Sequence, residues 1–301
     1  RTSMDRKAIA RETLKIMEQG YYEYEGKRIA IEEDMEESIR GSILITPKEG
    51  EKILNAYGVS EADGVGGCPK GCGISPVDAA NESGSIGKAG FKAKSTSVVE
   101  NISTVEAIRK LVERGKTEIG VLNFASAKNP RGGFINGAMA QEESLAASST
   151  LYRTLLANEE YYKRNREQSS MMYTDYGIYS PDVTFFRDGR FKLVDKPVRA
   201  SVLTLPAVNM GQVRIKGEDI GMAQKVMRRR MELALAIFAR QGAKNLVLGA
   251  YGCGVFRNDP RMVAIWWKEL LEAGMQKYFD SIFYAVLDRG GDCIRAFEEC
   301  V

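Results

Sequence analysis

Glu142 and Glu143 are the side chains in this sequence best placed to do chemistry. They stand together in residues 121–149, VLNFASAKNPRGGFINGAMAQEESLAASS. Val121, Leu122 and Phe124 make an apolar run that suits a buried strand. Asn129, Pro130, Gly132, Gly133, Asn136 and Gly137 punctuate a loop, and from Gln141 the composition turns helix-forming. Two acids in the first turn of a helix complement its dipole, so capping is the plain explanation of the pair. The glycines upstream point further. A cap has no need of a paired-glycine loop, whereas a phosphate or sugar held close to backbone does. As neighbours on a helix the two carboxylates project about 100° apart. They cannot reach one atom in the same way, so their roles must differ. The sequence has no histidine, which removes Ser-His and Cys-His nucleophilic chemistry.

A second glycine-rich loop, LGAYGCGVFRNDP, occupies residues 248–260. Ligands of open α/β sheets bind outside the carboxyl ends of the strands. Both loops leave such ends, so Gly132-Gly133-Phe134 and Gly252-Cys253-Gly254-Val255-Phe256 are expected on one rim of the sheet. Neither loop continues into Gly-Lys-Ser or Gly-Lys-Thr, and neither has the Rossmann glycine spacing, which disfavours both of those nucleotide sites.

Gly132-Gly133-Phe134 followed by Gln141-Glu142-Glu143 resembles the signature of the poly(ADP-ribose) glycohydrolases, and the surrounding sequence resembles their bacterial-type branch. The loop at 248–260 resembles the one that covers the diphosphate of ADP-ribose in this family and in macrodomains generally. The resemblance extends over most of the chain and is weak between residues 60 and 90. It implies cleavage of the O-glycosidic link between ADP-ribose units, a reaction with an oxocarbenium-like transition state that commonly uses carboxyl groups. It implies that Glu143 protonates the leaving ribose hydroxyl and then activates water, while Glu142 orients the substrate ribose. Asn123 and Ser126 resemble ribose-contacting positions, and Gln141, Gly132, Gly133 and Phe134 belong to the same substrate site. Phe256 is expected to wall the distal ribose, with ordinary core burial as its alternative. Val99 and Glu100 are assigned to the adenine end. Cys253, with no histidine to activate it, is expected to pack as a small residue beside the diphosphate. One departure is Arg131, which stands where the family loop usually has a third glycine. The expected ligands are poly(ADP-ribose) or an ADP-ribosylated macromolecule as substrate and ADP-ribose as product. A hydrolase of single ADP-ribose units and a non-catalytic ADP-ribose reader remain as alternatives, although a reader has no need of Gln141-Glu142-Glu143.

Composition bounds these expectations. The chain has 301 residues, 44% hydrophobic and 28% charged, with a formal net charge of +3. That permits a polyanionic ligand, but no basic stripe interleaved with aromatics suggests sequence-specific nucleic-acid binding. Arg228, Arg229 and Arg230 are expected as a solvated face of a helix. The five cysteines are an odd count, which argues against a disulfide framework and for a reducing compartment. Cys68 and Cys72 are close enough to suggest a metal. A tetrahedral site needs four ligands, and without histidine or a second close cysteine pair neither a metal nor a cofactor is expected. No apolar run reaches membrane-spanning length and no signal peptide is visible, so a cytoplasmic location without membrane contact is expected.

The elements that must position these residues alternate strand and helix, the pattern of an α/β sheet. The fold class expected is a macrodomain-like mixed sheet flanked by helices, preceded by an N-terminal helical and hairpin accessory segment over residues 1–58. Residues 59–301 are expected to form the catalytic domain, the whole making one compact unit. The accessory segment reads as a helix over 5–19, a hairpin around Glu25-Gly26-Lys27, a helix over 32–40, a strand over 42–46 and a helix over 48–57. Residues 60–90 read as a long irregular loop. A strand through Val98 and Val99, a helix over 104–114 and a strand over 118–124 lead to the central loop, and a single helix is expected from Gln141 to about Arg166. Downstream come a hairpin around Arg187-Asp188-Gly189, a strand over 201–205 and a long amphipathic helix over 217–241. A strand over 245–248, a helix over 260–273, a strand over 281–287 and a closing helix over 292–300 complete the chain.

Overall fold

The computed structural model describes residues 5–59, 95–130, 132–134 and 140–301. The expected loop at 60–90, with Cys68 and Cys72, and the departure at Arg131 lie outside the described residues. Helix α1 (Arg6–Gln19) starts at Asp5, whose carboxylate accepts from the Lys7 and Ala8 N–H groups, and stops at Gly20 with φ 84°. Strands β1 (Tyr21–Tyr24) and β2 (Lys27–Ala30) pair as an antiparallel hairpin. Its two turn residues, Glu25 and Gly26, both have positive φ, 47° and 79°, as the tightest hairpin turns require. Helix α2 (Glu32–Gly41), strand β3 (Ile43–Ile45) and helix α3 (Pro47–Tyr57) follow. Thr46 caps α3 and Pro47 occupies its first turn.

The main sheet holds seven strands in the order β3-β6-β7-β5-β8-β9-β4. Its members are β4 (Thr96–Glu100), β5 (Ile119–Ala125), β6 (Gly177–Arg187), β7 (Leu193–Pro206), β8 (Asn245–Leu248) and β9 (Ser281–Ala285), together with β3. The β5–β7, β5–β8, β8–β9 and β4–β9 pairs are parallel, and β3–β6 and β6–β7 are antiparallel. Side chains alternate between faces along a strand. Leu122, Leu203, Leu246 and Ile282 therefore join one core with α9 (Ile220–Gln241) and α10 (Pro260–Glu272). Val121, Val202, Val247 and Phe283 join the other with α4 (Thr104–Glu113) and the helices that follow β5. Both faces are covered, which is why β5 reads as a continuous apolar run rather than an alternating one.

The sequence departs from its expected structure in five places. The single helix expected from Gln141 to Arg166 is three: α5 (Gln141–Ser148), α6 (Leu151–Leu156) and α7 (Glu160–Glu167). At the first break Ser149 is extended and bridges Phe185 of β6. Its hydroxyl returns to the Leu145 carbonyl at 2.6 Å, and the Thr150 N–H goes to Thr184 at 3.1 Å. Sheet partners and local Ser hydrogen bonds outcompete helix propagation here. The strand expected at 201–205 is the end of the longer β7, and the helix expected over 217–241 begins at Ile220 behind an Asp219 cap, after a short α8 (Met210–Ile215). Arg230 is buried rather than solvated, because Asp175 and the Pro206 carbonyl receive its guanidinium at 2.8 and 2.7 Å. Finally, the N-terminal segment contributes β3 to the main sheet, and Ile53 of α3 enters the same core as α9. Helix α11 (Asp292–Cys300) closes the chain.

Candidate active site

The site is built where β5 ends. Gln141, first residue of α5, acts as a side-chain extension of the sheet. Its Oε1 accepts the Phe124 N–H at 2.9 Å, and its Nε2 donates to the Leu122 carbonyl at 2.9 Å and to Thr104 Oγ1 at 3.2 Å. This fixes the helix N-terminus against the strand end. Glu142 then turns inward and is 2% exposed. The Ser126 N–H donates to its Oε1 at 2.8 Å and the Asn123 amide to its Oε2 at 2.9 Å. Asn123 is itself held by Thr204 Oγ1 at 3.0 Å. Burial pushes the Glu142 carboxyl up to about 8. The two donors pull it down and the neighbouring Glu143 charge adds to the rise. Glu143 is only half-buried and among the described residues receives one hydrogen bond, from the Gly133 N–H to Oε1 at 3.2 Å.

The glycine loop lies directly over this pair. Gly132 has φ 56°, and a Cβ there would sit 2.8 Å from Glu143 Oε1 and 3.2 Å from Glu142 Oε1. Only glycine satisfies both the left-handed backbone and the close approach. Phe134 anchors the loop from below, fully buried with Ala10, Ala146 and Ala147. The far end of α5 is pinned at the Ala147 carbonyl, which accepts from Thr13 Oγ1 at 2.6 Å and Arg187 Nε at 3.1 Å. Across the rim, the second loop leaves β8. Gly252 has φ 70°, with Ala207 Cβ and Asn258 Nδ2 within 2.6 and 2.7 Å of where a Cβ would lie. The backbone N–H groups of Gly254, Val255 and Phe256 meet no acceptor among the described residues.

A cavity of about 550 Å³ separates the two loops. It brings together Ser126, Gly132, Gln141, Glu142, Glu143 and all five residues from Gly252 to Phe256. Five expected residues do not line it. Asn123 is fully buried behind Glu142 and touches the site only through that carboxyl. Gly133 acts through its N–H on Glu143, and Phe134 is a loop anchor rather than a wall. Val99 and Glu100 end too early. Glu100 pairs with Lys110 at 2.7 Å, and its carbonyl accepts the Val286 N–H at 3.0 Å. The cavity at that end is lined instead by Ile102, Ser103, Thr104, Val105 and, after β9, Val286, Leu287, Asp288 and Cys293. Their signal in the sequence was positional, since each group directly follows the carboxyl end of a strand. Asn101 and Asp288 hold the two segments together by reciprocal side-chain-to-backbone bonds, both 2.9 Å. Phe256 lines the cavity half-buried, its ring 5.9 Å from that of Tyr173. Burial pushes the Cys253 thiol well above its usual range, which fits packing rather than nucleophilic attack. Among the described residues no group of three or more acids or cysteines is arranged to hold a metal, and no helix is long and apolar enough to cross a membrane.

A mixed sheet with two glycine loops at its carboxyl rim, one of them over paired glutamates, defines the macrodomain-like hydrolase class. Residues 10–188 match the family described as "Microbial-type PARG, catalytic domain", and this chain belongs to the microbial-type poly(ADP-ribose) glycohydrolases. The poly(ADP-ribose) glycohydrolase of Thermomonospora curvata is 33% identical over 99% of this chain and 100% of its own, with a TM-score of 0.85. The same enzyme bound to the inhibitor ADP-HPD is 32% identical, covers 99% of each chain and has a TM-score of 0.83. The Deinococcus radiodurans enzyme in complex with ADP-ribose is 36% identical over 88% of this chain and 96% of its own, with a TM-score of 0.74. No curated protein matches the chain by sequence.

Proposed function

We propose that this glycosidase cleaves the ribose–ribose O-glycosidic bond of poly(ADP-ribose), releasing ADP-ribose, with Glu143 as the acid and base and Glu142 as the ribose holder. One observation carries the reading: the glutamate pair lines the same cavity as Gly254, Val255 and Phe256, whose N–H groups meet no acceptor among the described residues. Free backbone N–H groups suit a diphosphate, and the volume suits a ligand of nucleotide size. The D. radiodurans enzyme, structurally similar to this chain, was determined in complex with ADP-ribose.

The division of roles follows from what each carboxyl already holds. Both Glu142 oxygens are occupied by fixed donors, so its orientation is set before substrate arrives. Glu143 has one oxygen without a partner among the described residues, lines the cavity and is free to exchange a proton with a ligand. In this mechanism Glu143 gives its proton to the leaving ribose oxygen as the anomeric C–O bond breaks. Its carboxylate then takes a proton from the water whose oxygen bonds to the anomeric carbon, so the enzyme returns to its starting state. The raised pKa of Glu142 favours a second assignment, with Glu142 as the acid. Its two fixed hydrogen bonds weigh against that role. Cytoplasmic action on polymer or on ADP-ribosylated macromolecules is the proposed setting, supported by Cys253, Cys293 and Cys300 being free thiols. Labelled poly(ADP-ribose) should yield free ADP-ribose, and calorimetry should show a saturable ADP-ribose site with AMP binding much more weakly. Saturable binding without release from polymer would instead make the chain a reader.

A further inference from the structure

Next to the cavity-lining Ser126 and Phe256 stands a layer of residues that do not themselves line the cavity, several of them tied together by hydrogen bonds. The Tyr161 hydroxyl of α7 donates to the Ser126 carbonyl at 3.4 Å, and Arg166 Nε donates to the Lys128 carbonyl at 2.8 Å. Asn165 Oδ1 accepts from the Thr174 N–H and hydroxyl at 3.0 and 2.8 Å. That bond fixes the chain next to Tyr173, whose ring packs on Phe256 at 5.9 Å. Arg257 comes next in sequence. It holds φ 60°, a conformation uncommon for residues with side chains. Its stem lies against α8, where a Cβ on Gly211 would sit 3.1 Å from Arg257 Cγ.

This collar exposes Lys128, Arg166 and Arg257. None of the three makes an ion pair among the described residues. The acids nearby are already engaged. Glu160 and Glu167 both pair with Arg164, and Glu218 accepts from the Ser170 hydroxyl and the Met171 N–H. Asp175 pairs with Arg229 and Arg230. Those acids keep their charge, but Lys128, Arg166 and Arg257 together with Arg164, Arg229 and Arg230 outnumber Glu160, Glu167, Glu218 and Asp175, a local cationic excess in a chain whose net charge is only +3. Lys128 and Arg166 stand outside both glycine loops, Arg257 follows Phe256 at the outer end of the second, and none of the three lines the cavity, so an ADP-ribose held inside it leaves them without an anion.

We propose that Lys128, Arg166 and Arg257 bind the diphosphate of the ADP-ribose unit on the leaving side of the scissile bond, a subsite for polymer rather than for product. The inference rests on the function proposed above. The leaving ribose belongs to the next unit of the chain, which carries a diphosphate of its own. Guanidinium and ammonium groups are the usual partners of phosphate oxygens. Being exposed, they act mainly through long-range attraction that salt screens. The collar thus favours a polymer end over an ADP-ribose unit attached to an uncharged group.

Steady-state cleavage of poly(ADP-ribose) by Lys128→Glu and by Lys128→Glu/Arg166→Gln, from low to physiological salt, tests this. The double variant should raise the polymer KM about tenfold at low salt and flatten its dependence on salt. Its ADP-ribose affinity should stay within about twofold of the parent, a difference of about 0.4 kcal/mol, which also shows that it is folded. A polymer KM and salt slope equal to the parent's would overturn the proposal. So would a parallel loss of polymer KM and ADP-ribose affinity, which would place these cations at the product site. A parent protein that neither binds ADP-ribose nor releases it from polymer would remove the functional reading itself, and this one with it.

Discussion

Glu142 and Glu143 are consecutive in sequence and yet occupy different environments, and that difference is the chemistry of the site. Glu142 is sealed in and its carboxyl is raised from 4.5 to about 8, burial being the main cause. A carboxyl whose folded pKa exceeds its unfolded one binds more protons in the folded state between those values. Its stability contribution is complete below the unfolded pKa, near 4.5, and is lost as pH rises through about 8. Each pKa unit corresponds to roughly 1.4 kcal/mol, so the loss amounts to a few kcal/mol. Glu142→Gln should therefore melt near the parent at pH 5 and several degrees above it at pH 9. The amide can be accommodated, because Asn123 Oδ1 has no partner among the described residues and turning that amide offers an acceptor. A melting difference independent of pH would show that Glu142 is not buried as a neutral acid. The glutamates, both glycine loops and their common rim were legible from residue type and spacing. The environment of Glu142 was not, because it depends on Thr204, 81 residues from Asn123 in sequence.

Helix α5 is a short element fixed at both ends. Gln141 ties its start to β5 and α4, and Thr13 with Arg187 ties its end to α1 and β6. Only the first tie lies inside the recognisable Gln141-Glu142-Glu143 stretch. Gln141→Ala would strand the Phe124 N–H and the Leu122 carbonyl, at a cost of about 2–4 kcal/mol. It should also lower kcat by loosening the glutamates, as denaturant unfolding and initial rates together would show. Gln141→Glu should be no rescue, since its second oxygen would face the Leu122 carbonyl. If both variants keep parental stability and kcat, the start of α5 is held without the Gln141 hydrogen bonds. Elements whose ends carry local signals were readable before folding, as in the exact agreement over β8 and α11. The break of the 141–166 helix at Ser149 was not, because it depends on Thr184 and Phe185 in a distant strand. Arg230 was misread for the same reason, its partner Asp175 lying 55 residues away.

At the scale of the molecule, the N-terminal segment and the remainder share their cores. Ile45 and Ile53 sit in the cluster of α9 and α10, and Ala10 packs on Phe134, Ala146 and Ala147 beneath the active site. We propose that residues 1–58 and 59–301 unfold as one unit. Deleting residues 1–58 would expose the edge of β6 and the face of α9, and should leave a protein without a cooperative melt or ADP-ribose binding. A soluble fragment with a sharp transition would mark an independent catalytic domain. The sheet and its helical layers were legible as strand–helix alternation, while the use of β3 as an edge strand depends on its pairing with β6, far along the chain. In the proposed mechanism the architecture presents one carboxyl to a glycosidic oxygen, and Glu143→Gln tests that most directly. General acid–base catalysis contributes roughly 10²–10⁴-fold, so cleavage of poly(ADP-ribose) should slow by at least about a hundredfold. ADP-ribose affinity measured by calorimetry on the same preparation should barely change, because the amide keeps the shape of the site. Cleavage at near the parental rate, with affinity intact, would contradict the assignment of Glu143.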